Sequence, residues 1–138
     1  MNHVIVYKTG VLPAPDALLD LYRSVGDQVP GSVELLSTAV GNSSWVATAW
    51  DEERLVGLAR VLTDGVRVAF FQELLVHPSY HHQGVGKELF DLYDAAFGHL
   101  HCQIALTEVE WVREKFVKRG FHGEPAALSR WRPLAARD

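Results

Sequence analysis

Phe70-Phe71-Gln72-Glu73-Leu74-Leu75-Val76-His77-Pro78-Ser79-Tyr80-His81-His82-Gln83-Gly84-Val85-Gly86-Lys87-Glu88-Leu89 is the stretch on which the reading of this chain turns. An apolar, β-prone run over 70–76 stops just before Pro78, which has no N–H to give to a sheet. A short polar loop follows, then Gly84-Val85-Gly86, then residues with helical periodicity. A strand that feeds a Gly-rich turn opening a helix leaves backbone N–H groups unpaired at the positive end of the helix dipole. Such a turn suits an anionic phosphate. Taken alone, Gly-x-Gly is first of all a plain helix-entry turn, so the surrounding residues decide.

Two familiar phosphate loops fail on the residues. A Walker A loop, Gly-x-x-x-x-Gly-Lys-Ser/Thr, fits at Gly86-Lys87, but His81 stands where its first glycine belongs and Glu88 where its Mg²⁺-binding hydroxyl belongs. A dinucleotide fingerprint, Gly-x-Gly-x-x-Gly, fits at Gly84 and Gly86, but Leu89 takes the third glycine and the strand lies mid-chain.

Outward from this stretch, the spacing predicts the remaining elements. A first strand covers 3–7. Pro13 and Pro15 mark the entrance of an amphipathic helix through Tyr22, broken by Gly26 and Pro30-Gly31. A second short helix spans 32–39, and Gly41-Asn42 turns the chain. Strands follow over 45–50 and 55–62, joined by a hairpin turn at Asp51-Glu52-Glu53. Asp64-Gly65 signals a further hairpin into a long strand over 66–76. Val85, Leu89, Leu92, Tyr93, Ala96 and Phe97 recur at helical spacing, giving a helix between Gly84 and Gly98 with one buried face. A short buried strand covers 103–106. Thr107-Glu108-Val109-Glu110 reads as a capping box for a helix that runs to about Arg119 and ends at Gly120. Phe121-His122 and residues 128–132 would form a closing hairpin.

The segment from Leu74 to Leu89 resembles the pyrophosphate loop of the GNAT superfamily of N-acetyltransferases, Gln/Arg-x-x-Gly-x-Gly/Ala behind an apolar strand ending in Val and often Pro. His81 departs from it at the Gln/Arg position. Phe116-Val117-Lys118-Arg119-Gly120-Phe121 resembles the superfamily's late Tyr-x-x-x-Gly-Phe junction, with Phe116 in place of the Tyr. Residues 54–65 resemble the strand before the cofactor strand. Together these cover roughly 45–121. The resemblance implies an α/β fold of the α+β kind over one domain, 1–138: a central mixed, mostly antiparallel twisted sheet of 6–7 strands flanked by about four helices, in the order βααβββαβαββ.

It also implies a reaction, transfer of an acetyl group from acetyl-CoA, as cosubstrate, to a primary amine by direct attack. Cofactor contacts would come from Leu74, Leu75 and Val76 along the pantetheine arm. His81, His82, Gln83, Gly84, Val85, Gly86 and Lys87 would surround the pyrophosphate. An alkylamine has a pKa near 10, so a base or a water chain must take its proton. Glu73 is the first candidate for that catalytic base, since small superfamily members often carry a carboxylate there; a solvated or ion-paired strand residue is the competing reading. Asp64 is a rival carboxylate, but Asp-Gly in a hairpin reads as a turn. The superfamily's usual acid is missing, because Phe116 has no proton to donate. Tyr80 and Tyr93 are substitutes that read first as structural. Val109 stands where many members place an Asn against the cofactor.

Other residues weigh less. Cys102 reads as a buried strand cysteine rather than a nucleophile. His77, His81, His82, His99 and His101 lack acidic or cysteine companions at ligand spacing, so no metal is expected. The four tryptophans read as core or interface residues, one or two of which can wall an amine pocket. The chain has 138 residues, 48% hydrophobic and 22% charged, enough for one cored domain. It shows neither a membrane-length apolar run nor a signal-like N-terminus, and holds one cysteine. A cytoplasmic protein is expected. The net charge of −4 gives no support to nucleic-acid binding. The expected partner is a small-molecule amine, with no nucleic acid and no membrane, and the expected state is monomer or homodimer. The alternatives are a non-catalytic acyl-CoA-binding sensor module, or an acetyltransferase acting on a protein N-terminus or lysine.

Overall fold

A computed structural model describes residues 4–29, 31–107, 109–123 and 129–132. Its elements follow as β1 (Ile5–Thr9), α1 (Pro15–Ser24), α2 (Val33–Gly41), β2 (Trp45–Asp51), β3 (Arg54–Thr63), β4 (Val68–Val76), a 3-10 turn (Pro78–Tyr80), α3 (Val85–Phe97), β5 (Cys102–Ala105) and α4 (Glu110–Lys118). The five strands form one sheet in the order β1-β2-β3-β4-β5. Its first four strands pair antiparallel, and β4 pairs parallel with β5.

Each helix sits where its apolar stripe finds a face. In α1, Pro15 opens the first turn, and Leu18, Leu21 and Tyr22 are buried at spacings of three and one. In α2, the Ser32 hydroxyl caps the helix by accepting from Leu35 N–H at 3.2 Å. Both helices cover one sheet face, where Leu18, Leu21, Tyr22 and Val40 pack on Val46, Leu55 and Leu58. The helices α3 and α4 cover the other face. There Val85, Leu89, Phe90, Tyr93, Val112 and Phe116 pack on Ala49, Val56, Phe71, Leu74 and Val76. The sheet is thus sandwiched, and the strand ends near residue 76 open between the two layers.

The expected order holds through α4, and four expectations are corrected. The sheet has five strands among the described residues rather than six to seven. The expected closing hairpin falls partly on 124–128, outside the described residues, while 121–123 and 129–132 carry no strand; Phe121 turns inward onto Phe90 and Phe116 instead. Thr107 does not cap α4. The helix starts later, with Val109 at the N-cap position, and the Thr107 hydroxyl accepts from Val109 N–H at 3.1 Å in a local turn. Cys102 is exposed rather than buried, because it opens β5 at the edge of the sheet.

Candidate active site

The site begins with a fault in β4. Arg60 of β3 stands opposite Glu73, but the next residue, Val61, stands opposite Phe71. Gln72 is therefore an extra residue, a β-bulge. A bulge bends its strand and shifts its side-chain alternation by one. Both effects are visible. Ala69 and Phe71 face the α3/α4 core before the bulge, whereas Leu74 and Val76 face it afterwards. Pairing with β5 ends at the same place, Phe71 opposite Ala105, and beyond it the strands part.

The parting opens a cleft of about 530 Å³ between 71–75 of β4 and Leu106, Thr107, Val109, Val112 and Phe116, with Asp27, Ser129 and Trp131 at its rim. His77 N–H bonds Val56 C=O at 2.8 Å. By strand alternation Leu75 also turns its polar groups to β3, so Leu74 and Val76 turn theirs to the open edge. An extended amide-bearing chain can pair with such an edge. Leu74 and Val76 bury their side chains in the core, and Leu75 packs against the α1/α2 cluster.

At the end of β4 lies the glycine-rich turn. Gly84, with φ of 85°, is the N-cap of α3, a conformation that favours glycine. Its carbonyl accepts from Glu88 N–H at 3.0 Å, so the N–H groups of Val85, Gly86 and Lys87 have no acceptor inside the helix. Val85 and Gly86 are buried, whereas His82, Gln83 and Lys87 are exposed, and His82 is also left-handed, with φ of 62°. His81 folds back: its Nε2 donates to Val76 C=O at 2.9 Å, and its ring lies 4.6 Å from that of Trp111. Lys87 is tied to Asp91 at 2.8 Å. The donor set and the cleft together fit an elongated molecule carrying phosphate: an apolar slot, an open strand edge and a helix entrance, joined end to end.

Because of the bulge, Glu73 turns toward α1 and α2. Its Oε1 accepts from Arg60 Nε at 3.2 Å and Nη2 at 3.0 Å. Arg60 in turn donates to Ser43 Oγ at 3.2 Å. Glu73 Oε2 and Tyr22 Oη are both buried without a well-formed hydrogen bond among the described residues, although each feels the other. Burial pushes the Glu73 carboxyl above its ordinary value, against the opposing pull of Arg60. Burial and then the Glu73 charge push the Tyr22 phenol up. Glu73 is ion-paired to Arg60 and also stands on the cleft wall.

The other candidates separate cleanly. Asp64 Oδ1 accepts from the N–H groups of Val66, Arg67 and Val68 at 2.8–3.1 Å, which fixes a turn and holds its carboxyl below the ordinary value. Tyr80 donates to Asp51 Oδ2 at 2.5 Å, and Tyr93 to Gln103 Oε1 at 2.9 Å; both are buried structural rings. Phe116, 5% exposed, packs edge-on to Phe71, Phe90 and Phe121 while also lining the cleft. Val109, 49% exposed, sits at the mouth. Among the described residues no three His, Cys, Asp or Glu side chains converge as metal ligands would.

Sequence reasoning passed over Gly57, Arg60, Tyr22 and Lys115. A Cβ on Gly57 would come to 2.9 Å from Val85 Cγ1 and 3.0 Å from Leu89 Cδ1, so this glycine lets the start of α3 lie directly on β3. The signal was present, since a glycine inside a strand marks a close approach.

The profile of the Acetyltransferase (GNAT) family matches residues 16–121. Among solved structures, a GNAT-family acetyltransferase from Streptococcus pneumoniae TIGR4 superposes with a TM-score of 0.76 at 28% identity, covering 96% of this chain and 100% of its own. A probable acetyltransferase of unknown function from methicillin-resistant Staphylococcus aureus gives 0.82 at 21% identity, covering 95% and 100%. Aminoglycoside N-acetyltransferase AAC(6')-Iy, solved with CoA, gives 0.66 at 15% identity, covering 96% and 97%. Comparison with curated proteins by sequence gives no match.

Proposed function

The chain belongs to the GNAT acetyltransferase family, and from that premise we propose that it acetylates the primary amine of a small molecule. The observation that carries this reading is the bulged β4. One short segment leaves the sheet to open the cleft, leads to the Gly84–Gly86 helix entrance, and sets Glu73 on the cleft wall. The backbone of Leu74 and the N–H of Val76, whose C=O is taken by His81, hold the pantetheine arm, and the N–H groups of Val85, Gly86 and Lys87 hold the pyrophosphate. Bound acetyl-CoA supplies an acetyl thioester that the amine attacks, releasing the CoA thiol. Glu73 receives the proton that the ammonium must lose. Its raised pKa favours that role, since a base works best with a pKa close to the working pH. Gln72, Asp27 and Trp131 border the acceptor end, where an anion and an aromatic face both suit a cationic amine. The chain's one cysteine forms no internal disulfide, in keeping with a reducing cytoplasm.

Isothermal titration with acetyl-CoA, with NAD and ATP as controls, tests the site. A screen of amines that reads free CoA thiol tests the reaction. Micromolar binding of acetyl-CoA alone and turnover of a small amine are expected; binding of NAD or ATP in its place would sink the assignment. A second reading, a sensor that binds acyl-CoA without turnover, draws on Phe116 and Val109, neither of which has a side-chain donor to offer. Tight acetyl-CoA binding with no turnover across the amine panel is its signature.

A further inference from the structure

The Gly84–Gly86 turn lacks the cation or amide that the motif it resembles carries at position 81, and its neighbours are already engaged. The His81 ring is spent on Val76 C=O and Trp111. Lys87 is paired with Asp91, and Arg119 with Asp91 and Asp94 at 2.8 and 2.9 Å. Lys115 differs. Among the described residues it has no carboxylate within ion-pair distance. It projects from α4 across the first turn of α3: a Cβ on Gly86 would come to 3.2 Å from its Cε and 3.5 Å from its Cδ. Its ammonium lies 5.7 Å over the Trp111 ring, which itself packs against His81 at a tilt of 52°. The stem is therefore laid over the glycine, and the charged end is held at the mouth of the loop.

We propose that Lys115 is the cation that grips the cofactor's phosphate, reaching from α4 to do at this loop what the residue at position 81 does not. The proposal rests on the functional reading above, which puts the phosphates at the α3 entrance. An ammonium with three donors on a flexible stem binds phosphate as a point charge, and it need not come from the loop itself. Gly86 takes on a second purpose, since any side chain there would displace the Lys115 stem. The rest of the first turn supplies backbone N–H groups and the ammonium of Lys87, whose charge is offset by Asp91, so Lys115 is the cation near the turn whose charge no carboxylate among the described residues offsets.

The test compares two thioesters, acetyl-CoA and S-acetylpantetheine, which lacks the pyrophosphate and the nucleotide. Both are titrated into the wild type, Lys115→Met and Lys115→Arg. Methionine keeps the stem and removes the charge. Lys115→Met is expected to weaken acetyl-CoA about tenfold, the usual size of one charge-assisted contact. S-acetylpantetheine should bind unchanged, and Lys115→Arg should restore most of the loss. The salt dependence of acetyl-CoA binding should also flatten in Lys115→Met. If the wild type prefers acetyl-CoA and Lys115→Met keeps the full preference, Lys115 is not the phosphate cation while the loop reading stands. An equal loss for both thioesters likewise overturns it, as a packing effect. If the wild type itself binds the two thioesters alike, the phosphates do not sit at this loop, and both readings fall together.

Discussion

At the scale of single residues, the Glu73–Arg60 pair makes the sharpest forecast. Glu73→Gln keeps the shape of the side chain but cannot take a proton. It should lower kcat by about 100-fold or more, the usual worth of a general base, while leaving acetyl-CoA affinity in titration unchanged. Arg60→Met has a signed effect on pH dependence. Glu73 must be ionised to act, so the rate falls as pH drops through its pKa, which burial has lifted above 4.5. Arg60 pulls that pKa down, so removing it must lift the pKa further. The acid limb of the kcat/KM profile should therefore move to higher pH in Arg60→Met; a limb that stays put would mean that another group takes the proton. The same sign governs stability: a raised carboxyl favours the fold at low pH, and that contribution fades as pH climbs through the folded-state value. Glu73 was legible as a candidate because its type and its place beside the glycine-rich loop's strand pointed to it. Its partners Arg60 and Tyr22 were not, since they lie 13 residues away on β3 and on α1, and only the folded sheet brings them together.

At the scale of elements, α3 depends on two glycines in different ways. Gly57 gives it room. Gly57→Ala would drive a methyl group into Val85 and Leu89 and push the first turn off the sheet, at about 1–3 kcal/mol by the usual cost of overpacking. Thermal or denaturant melting should register that loss, and KM for acetyl-CoA should rise with it, because Val85 belongs to the loop. Gly84 gives backbone freedom instead. A Cβ there would touch nothing within 4 Å, so Gly84→Ala should cost only about 1 kcal/mol through its positive φ. A much larger loss would mean that the turn carries more than conformation. The boundaries of α3 were legible from its apolar spacing, and those of α1 from Pro15. The start of α4 was not. Thr107 carries the cap signature, but its hydroxyl satisfies Val109 N–H in a turn that competes with helix.

At the scale of the whole molecule, one sheet links the cleft to the rest of the fold, so filling the cleft should stiffen all of it. Acetyl-CoA at 100 times its Kd should add about 2.7 kcal/mol to stability, seen as a rise of several degrees in apparent Tm. Glu73→Gln should keep that rise, whereas a cofactor that leaves Tm unmoved would not be lodged between β4 and β5. The element order through α4 was legible because each strand and helix keeps its own period. The parting of β4 from β5 was written more faintly, as Gln72-Glu73 set between the apolar pairs Phe70-Phe71 and Leu74-Leu75, where strict alternation lapses. That lapse makes β4 a strand read in two frames, with odd positions facing the α3/α4 core before Gln72 and even positions after it. A one-residue deletion at Gln72 would splice the two frames into one regular ladder: Glu73 would still stand opposite Arg60 and Phe71 opposite Val61, with Phe71, Leu74 and Val76 still turned to the core. What would go is the bend that parts β4 from β5. In a library of variants, a chain lacking Gln72 should therefore keep its core and lose its cleft, melting as a folded protein while failing to bind acetyl-CoA.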